Sequence, residues 1–276
     1  MMWEEINKKQ NEDKMLELQY YARKQYNKSV TISEINIAVI LISIILEILN
    51  INNLYISGLL FIIFLVLEFL TNKCIKNAAK ARNIFDAILF KFDIPEGYEK
   101  IKEKAYRICL KNKRDFGIQK NNTGTDNPPG LKDWYTKNDG KNKNEIILKC
   151  QIENTRWDKE ITNIDIKIFF IILFVLICVG VIKYFNKPLH ELIKCLFVTI
   201  QLVWEIIKRI KLYYDYNKNL SNRECLINEF SNNKISKNNL KSLQKLIQER
   251  RKINLVPLNS IHKKVSNKIH DIIKNS

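Results

Sequence analysis

The chain has 276 residues, 46 of them Lys or Arg against 29 Asp or Glu, which gives a net charge of +17. Its seven glycines form neither G-x-G-x-x-G nor G-x-x-x-x-G-K-[ST], and its three histidines (His190, His262, His270) are too scattered for a metal site or a catalytic dyad. Six cysteines with no C-x-x-C pair argue against a zinc site or a disulfide framework, so no catalytic residue, metal or cofactor is expected.

The start, MMWEEINKKQNEDKM, is too polar for a cleaved signal peptide. Glu4 to Asn27 reads as an amphipathic helix with Ile6, Met15, Leu16, Leu18, Tyr21 and Ala22 near one side. Ile35 to Thr71 then carries only Glu47 and Glu68 as charges, and Asn50-Ile51-Asn52-Asn53 divides it into two runs of near-spanning length. A bilayer core takes about 20 helical residues. Helical periodicity continues through CIKNAAKARNIFDAILFKF and stops before Pro95, with Ala78, Ala79 and Ala81 permitting close packing. A further helix is expected from Tyr98 to about Arg114, followed by a mobile loop over 117–130 that holds Gly, Asn, Thr and two prolines.

Ile166 to Phe185 is a second spanning run, with Lys167 and Lys183 near its ends. After the turn Asn186-Lys187-Pro188 comes a less pure run, in which Glu191, Lys194, Gln201 and Glu205 share one helical face. Lys208 extends that stripe. Such a stripe turns toward protein or water and not toward lipid. Two readings of it stand: polar glue between helices, or the lining of a path gathered around an oligomer axis. Beyond it the helix continues to about Phe230, breaks at Ser231-Asn232-Asn233 and gives way to Asn238 to Asn254. Val256-Pro257 stops that helix, and a short one closes the chain.

The expected fold is therefore all-α, an integral membrane protein with four transmembrane helices in two hairpins and a helical cytosolic domain. Its parts are 1–34, a hairpin over 35–72, a cytosolic region over 73–164, a second hairpin over 165–207 and a cytosolic end over 208–276. Residues 73–164 carry 20 basic against 13 acidic groups, and 208–276 carry 16 against five. Basic residues flank the same end of every span, so both termini and the middle region are expected in the cytoplasm. These charges also suit anionic lipid headgroups.

INKKQNEDKMLELQYYARKQY, NIFDAILF, LKDWY, C-Q-x-x-N-x-x-W-D over Cys150 to Asp158, and Gln248-Glu-Arg-Arg with Val256-Pro257 follow one another around the hairpins. In this order they resemble the SMODS-associated four-transmembrane effector family, found beside cyclic-oligonucleotide synthases in bacterial antiphage systems. The match departs at Leu258, where an aromatic would be expected after Val-Pro. The resemblance implies a multi-pass effector of the bacterial inner membrane. It would answer a cyclic oligonucleotide by permeabilising the bilayer, as a homo-oligomer, with no DNA or RNA polymer as partner. Arg250 and Arg251 are candidate phosphate contacts, and Trp134 or Trp157 would stack a base. Tyr135, Gln151, Asn154 and Asp158 of the same motifs complete the candidate ligand-binding set. Tryptophans that only anchor helices at an interface are the plainer reading. A helical scaffold that recruits a cytosolic partner, or a constitutive small channel, are the competing functions.

Overall fold

A computed structural model describes residues 2–49, 51, 54–136, 140–159, 196–231 and 235–253. Helices α1 (Met2–Gln10), α2 (Asp13–Ile48), α3 (Leu54–Phe90), α4 (Tyr98–Lys111) and α5 (Lys113–Asn121) come first. They are followed by α6 (143–159), α7 (Leu196–Ser231) and α8 (Lys237–Arg250). Among the described residues no strand forms, and the one ladder pair is an isolated bridge between Thr123 and Lys132. The all-α expectation holds.

The frame is the antiparallel pair α2 and α3, 36 and 37 residues long. At 1.5 Å per residue each runs for about 54 Å, longer than a hydrocarbon core. Each joins an apolar run to an amphipathic one without a break. The outer halves bear exposed Ile35, Leu41, Ile42 and Ile45 on α2 and Leu59, Ile62, Leu65, Val66 and Phe69 on α3. A soluble core helix would hide such residues, yet only 39% and 22% of the most apolar windows of α2 and α3 are buried. Both helices are thus long and apolar enough to cross a membrane, and their bare apolar faces suit lipid. Inside the hairpin Val39, Ile40 and Phe64 pack on one another.

The other halves enter a layered extramembrane domain. Leu18, Tyr21 and Ala22 of α2 meet Ala81 and Ile84 of α3 and Ile101 and Ala105 of α4. The small alanines let these backbones approach, as their spacing predicts. The larger core gathers Ile6, Met15, Phe85, Leu89, Phe90, Tyr135, Ile146, Ile147, Cys150, Phe230, Leu240, Leu243 and Ile247. Burying a side chain of this size stabilises by about 1.5–3 kcal/mol. Gly97 opens α4 at φ +81, a backbone angle that costs glycine little. Ser236 caps α8 by accepting from the Asn239 amide.

Three expectations need correction. The N-terminal helix is not continuous from Glu4 to Asn27. It breaks at Asn11-Glu12, where Asn11 leaves the helix to bond Asp133 through both its amide nitrogen and its carbonyl oxygen. The helix from Tyr98 ends at Lys111 because Asn112 turns its side chain back onto the Ile108 carbonyl, and α5 restarts at Lys113. The loop over 117–130 starts only after Asn121, and its end is pinned by Arg23, which donates to the carbonyls of Pro129 (2.8 Å) and Gly130 (2.7 Å). The expected third span, Ile166 to Phe185, and the segment from Val256 onward lie outside the described residues.

Candidate functional site

Asp86, fully buried near the end of α3, is the point where the extramembrane elements converge. Its Oδ1 accepts from the Tyr135 hydroxyl at 2.9 Å, and its Oδ2 accepts from Gln244 Nε2 at 2.8 Å. Arg251 pairs with the same oxygen at 2.7 Å and also donates to Asn83 at 3.1 Å. The Tyr135 hydroxyl accepts in turn from Asn154 at 2.8 Å. Gln10 brackets the Tyr135 backbone, accepting from its amide at 3.0 Å and donating to its carbonyl at 3.3 Å. Gln151, enclosed completely, donates to Gln244 and to the Leu240 carbonyl, both at 3.0 Å. Burial and the neighbouring Asp86 push the Tyr135 phenol well above its ordinary value, so it stays a donor. Burial alone would lower Arg251, but Asp86, Tyr135 and Tyr26 outweigh it and hold its guanidinium charged.

Asp158 on α6 anchors a second group. It pairs with Arg223 at 2.8 Å and with Arg250 at 3.6 Å. Arg250 lies over the Tyr216 ring at 4.3 Å, and the Tyr216 hydroxyl donates to the Asp158 carbonyl. Arg223 is wholly buried, yet its Nε and Nη2 have no hydrogen-bond partner among the described residues.

Two further arginines complete the cluster without a carboxylate of their own. Arg82 stacks on Trp134 at 3.6 Å from the ring centroid and donates to Gln19 at 3.1 Å. Burial, and then the charge of Arg251, lower its pKa. Arg23 bonds the two loop carbonyls and Gln119, and burial followed by Arg82 brings it down to about 10. Asp115, whose charge acts on Arg23, is already held by Lys24 at 2.8 Å and Tyr20 at 2.6 Å. Among the described residues the cluster therefore sets Arg23, Arg82, Arg223, Arg250 and Arg251 against Asp86 and Asp158 alone. Excess buried charge of one sign is costly. Guanidinium forks match phosphate oxygens two at a time, and Trp134, 37% exposed, keeps part of its ring open beside them.

The structure brings Tyr135, Gln151, Asn154, Asp158, Arg250 and Arg251 into one connected network, with Trp134 joined to it through Arg82. Trp157 sits half-buried on the same helix as Asn154 and Asp158. Of the polar stripe, Glu191 and Lys194 lie outside the described residues, and Gln201 lies on α7 with its side chain outside them. Glu205 faces inward, paired with Lys208 and Arg209. Sequence reasoning missed Arg23, Arg82, Arg223, Asp86 and Gln244. A signal existed for Arg82, which stands one helical turn before the Asp of NIFDAILF, on the same face.

No curated protein and no solved structure matches this chain. The pattern of the SMODS-associating 4TM effector domain, in contrast, matches residues 4–268, nearly the whole length. The motif residues that meet at Asp86 and Asp158 and the two apolar helices fall within that match, and the chain belongs to this family of membrane effectors associated with cyclic-oligonucleotide antiphage signalling.

Proposed function

We propose that the arginine cluster binds the phosphates of a cyclic oligonucleotide and that binding opens a path through the bacterial inner membrane. The observation that supports it is the imbalance of five guanidinium groups against two carboxylates in a mostly buried junction. Arg23, Arg82, Arg223, Arg250 and Arg251 would share the phosphates. Trp134 would stack a base, and Tyr135, Gln151, Asn154 and Asp158 would hold the arginines in place. A phosphate entering here competes with Asp86 and Asp158 for Arg251 and Arg250, so ligand and internal ion pairs exchange. Both termini face the cytoplasm in this reading, where the nucleotide is made, and several copies assemble around the path.

Proteoliposomes loaded with dye test it. Cyclic oligonucleotide releases dye from vesicles carrying the parent protein, and Arg82→Gln or Arg250→Gln abolishes the response at unchanged insertion. Equal leakage without nucleotide would make the protein a constitutive channel. No leakage with any cyclic oligonucleotide would favour a scaffold.

A further inference from the structure

A second polar cluster lies where the apolar surface of the hairpin ends. Lys208 of α7 pairs with Glu68 of α3 at 2.8 Å and with Glu205 at 2.5 Å, and Arg209 pairs with Glu205 at 2.8 Å. All four side chains are less than a fifth exposed, whereas Trp204, Ile207 and Ile210 beside them on α7 point outward. The charges therefore face α2 and α3, and the apolar neighbours face lipid. Between them is a cavity of about 10 Å³, lined also by Ser33, Asn36 and Thr71, which is room for one water. The Asn36 side-chain oxygen is buried there with no hydrogen-bond partner among the described residues.

We infer that this cluster is the closed constriction of the membrane path, an ion-pair lock between α3 and α7 around a single water. The inference rests on the permeation reading above. Its first support is energetic. Replacing a buried ion pair by apolar side chains is often neutral or stabilising, so packing alone does not require four charges at this depth. Two acids and two bases balance while the helices touch, and become hydrated lining once the helices part.

Its second support is the connection to the arginine cluster. Glu68 and Asp86 sit on one unbroken helix, about 27 Å apart along its axis. Glu205 and Lys208 share α7 with Tyr216 and Arg223. Asn36 shares α2 with Gln19 and Arg23. Three continuous struts thus carry both clusters, and a shift of α3 against α7 at the arginine end is felt at Glu68 and Lys208.

Dye-loaded proteoliposomes carrying full-length protein decide it. Lys208→Met and Glu68→Gln each raise nucleotide-free leakage on the order of tenfold. The exchange Glu68→Lys with Lys208→Glu closes the path again. Single variants that insert and stay as tight as the parent without nucleotide, while the parent answers cyclic oligonucleotide, overturn the lock alone. Single variants that leak with no restoration by the exchange also overturn it, since any lost charge would then suffice. A parent that never leaks with cyclic oligonucleotide overturns the permeation reading itself.

Discussion

The two polar clusters both pair carboxylates with cationic side chains, but one is neutral and the other carries excess positive charge. At the edge of the apolar surface, Glu68 and Glu205 match Lys208 and Arg209 one for one, and the contacts close on themselves. In the extramembrane junction Asp86 and Asp158 face five arginines, and Arg82 rests on the Trp134 ring and the Gln19 amide without an acid paired to it among the described residues. A balanced cluster is complete as it stands and serves as a fastener. An unbalanced one leaves cationic charge over, which is what the proposed anion would neutralise. The difference in net charge, more than the presence of charge, separates the two clusters.

The largest effect is expected where the junction depends on a single acid. Asp86→Ala removes the acceptor of Tyr135, Gln244 and Arg251 together, and breaking a buried pair in this way costs about 3–5 kcal/mol. Thermal unfolding followed by helical circular dichroism in detergent reads it. A loss below about 1 kcal/mol would mean that Asp86 is not the hub.

Next comes pH. Glu153 on α6 is 7% exposed and accepts from the Thr136 amide (3.1 Å) and hydroxyl (3.2 Å). Burial raises its pKa from 4.5 to about 7. The folded state thus holds the proton more tightly than the unfolded one. This contribution is fully present below pH 4.5 and is lost as pH rises through 7, by up to about 3 kcal/mol. Glu153→Gln keeps an acceptor for Thr136 and flattens the profile, gaining most at pH 8. Identical pH profiles for parent and variant would remove Glu153 from the account.

A smaller loss is expected at the loop that Arg23 grips. A Cβ on Gly130 would fall 1.7 Å from the Asn122 carbonyl oxygen, a backbone atom that cannot swing away. Gly130→Ala should cost about 1–3 kcal/mol and expose 122–130 to protease. It also loosens Arg23, so cyclic-oligonucleotide affinity falls with it. An unchanged proteolysis pattern would show that the loop does not depend on this approach.

Much of the fold is legible in the sequence because the hydrophobic period is strong. The unbroken run of α3 to Phe90 and the packing of Ala81 follow from it, and the Asn-rich signal over 50–53 marks where α2 and α3 separate. The break at Asn11-Glu12 is not, since it depends on a bond to Asp133, 122 residues away. LKDWY, C-Q-x-x-N-x-x-W-D and Arg250-Arg251 come together in the fold around Asp86 and Asp158. Arg23, Arg82 and Arg223 were hidden because an isolated arginine on a basic, membrane-flanking helix looks like any other. Only the fold shows which arginines are buried and which of them lack an acid. For Glu205, helical spacing gave a face turned from lipid, and the fold adds its partners Lys208 and Arg209 and, through Lys208, Glu68 of α3.

The most direct test is Arg82→Met, read by thermal unfolding with and without saturating cyclic oligonucleotide. At a ligand concentration of 100 Kd the parent gains about 2.7 kcal/mol. Removing a buried guanidinium with no acid of its own should leave the nucleotide-free midpoint unchanged or higher, and the nucleotide-induced shift should vanish. A variant that is less stable without nucleotide yet keeps the full shift would contradict the claim that excess cationic charge in this junction holds the anion.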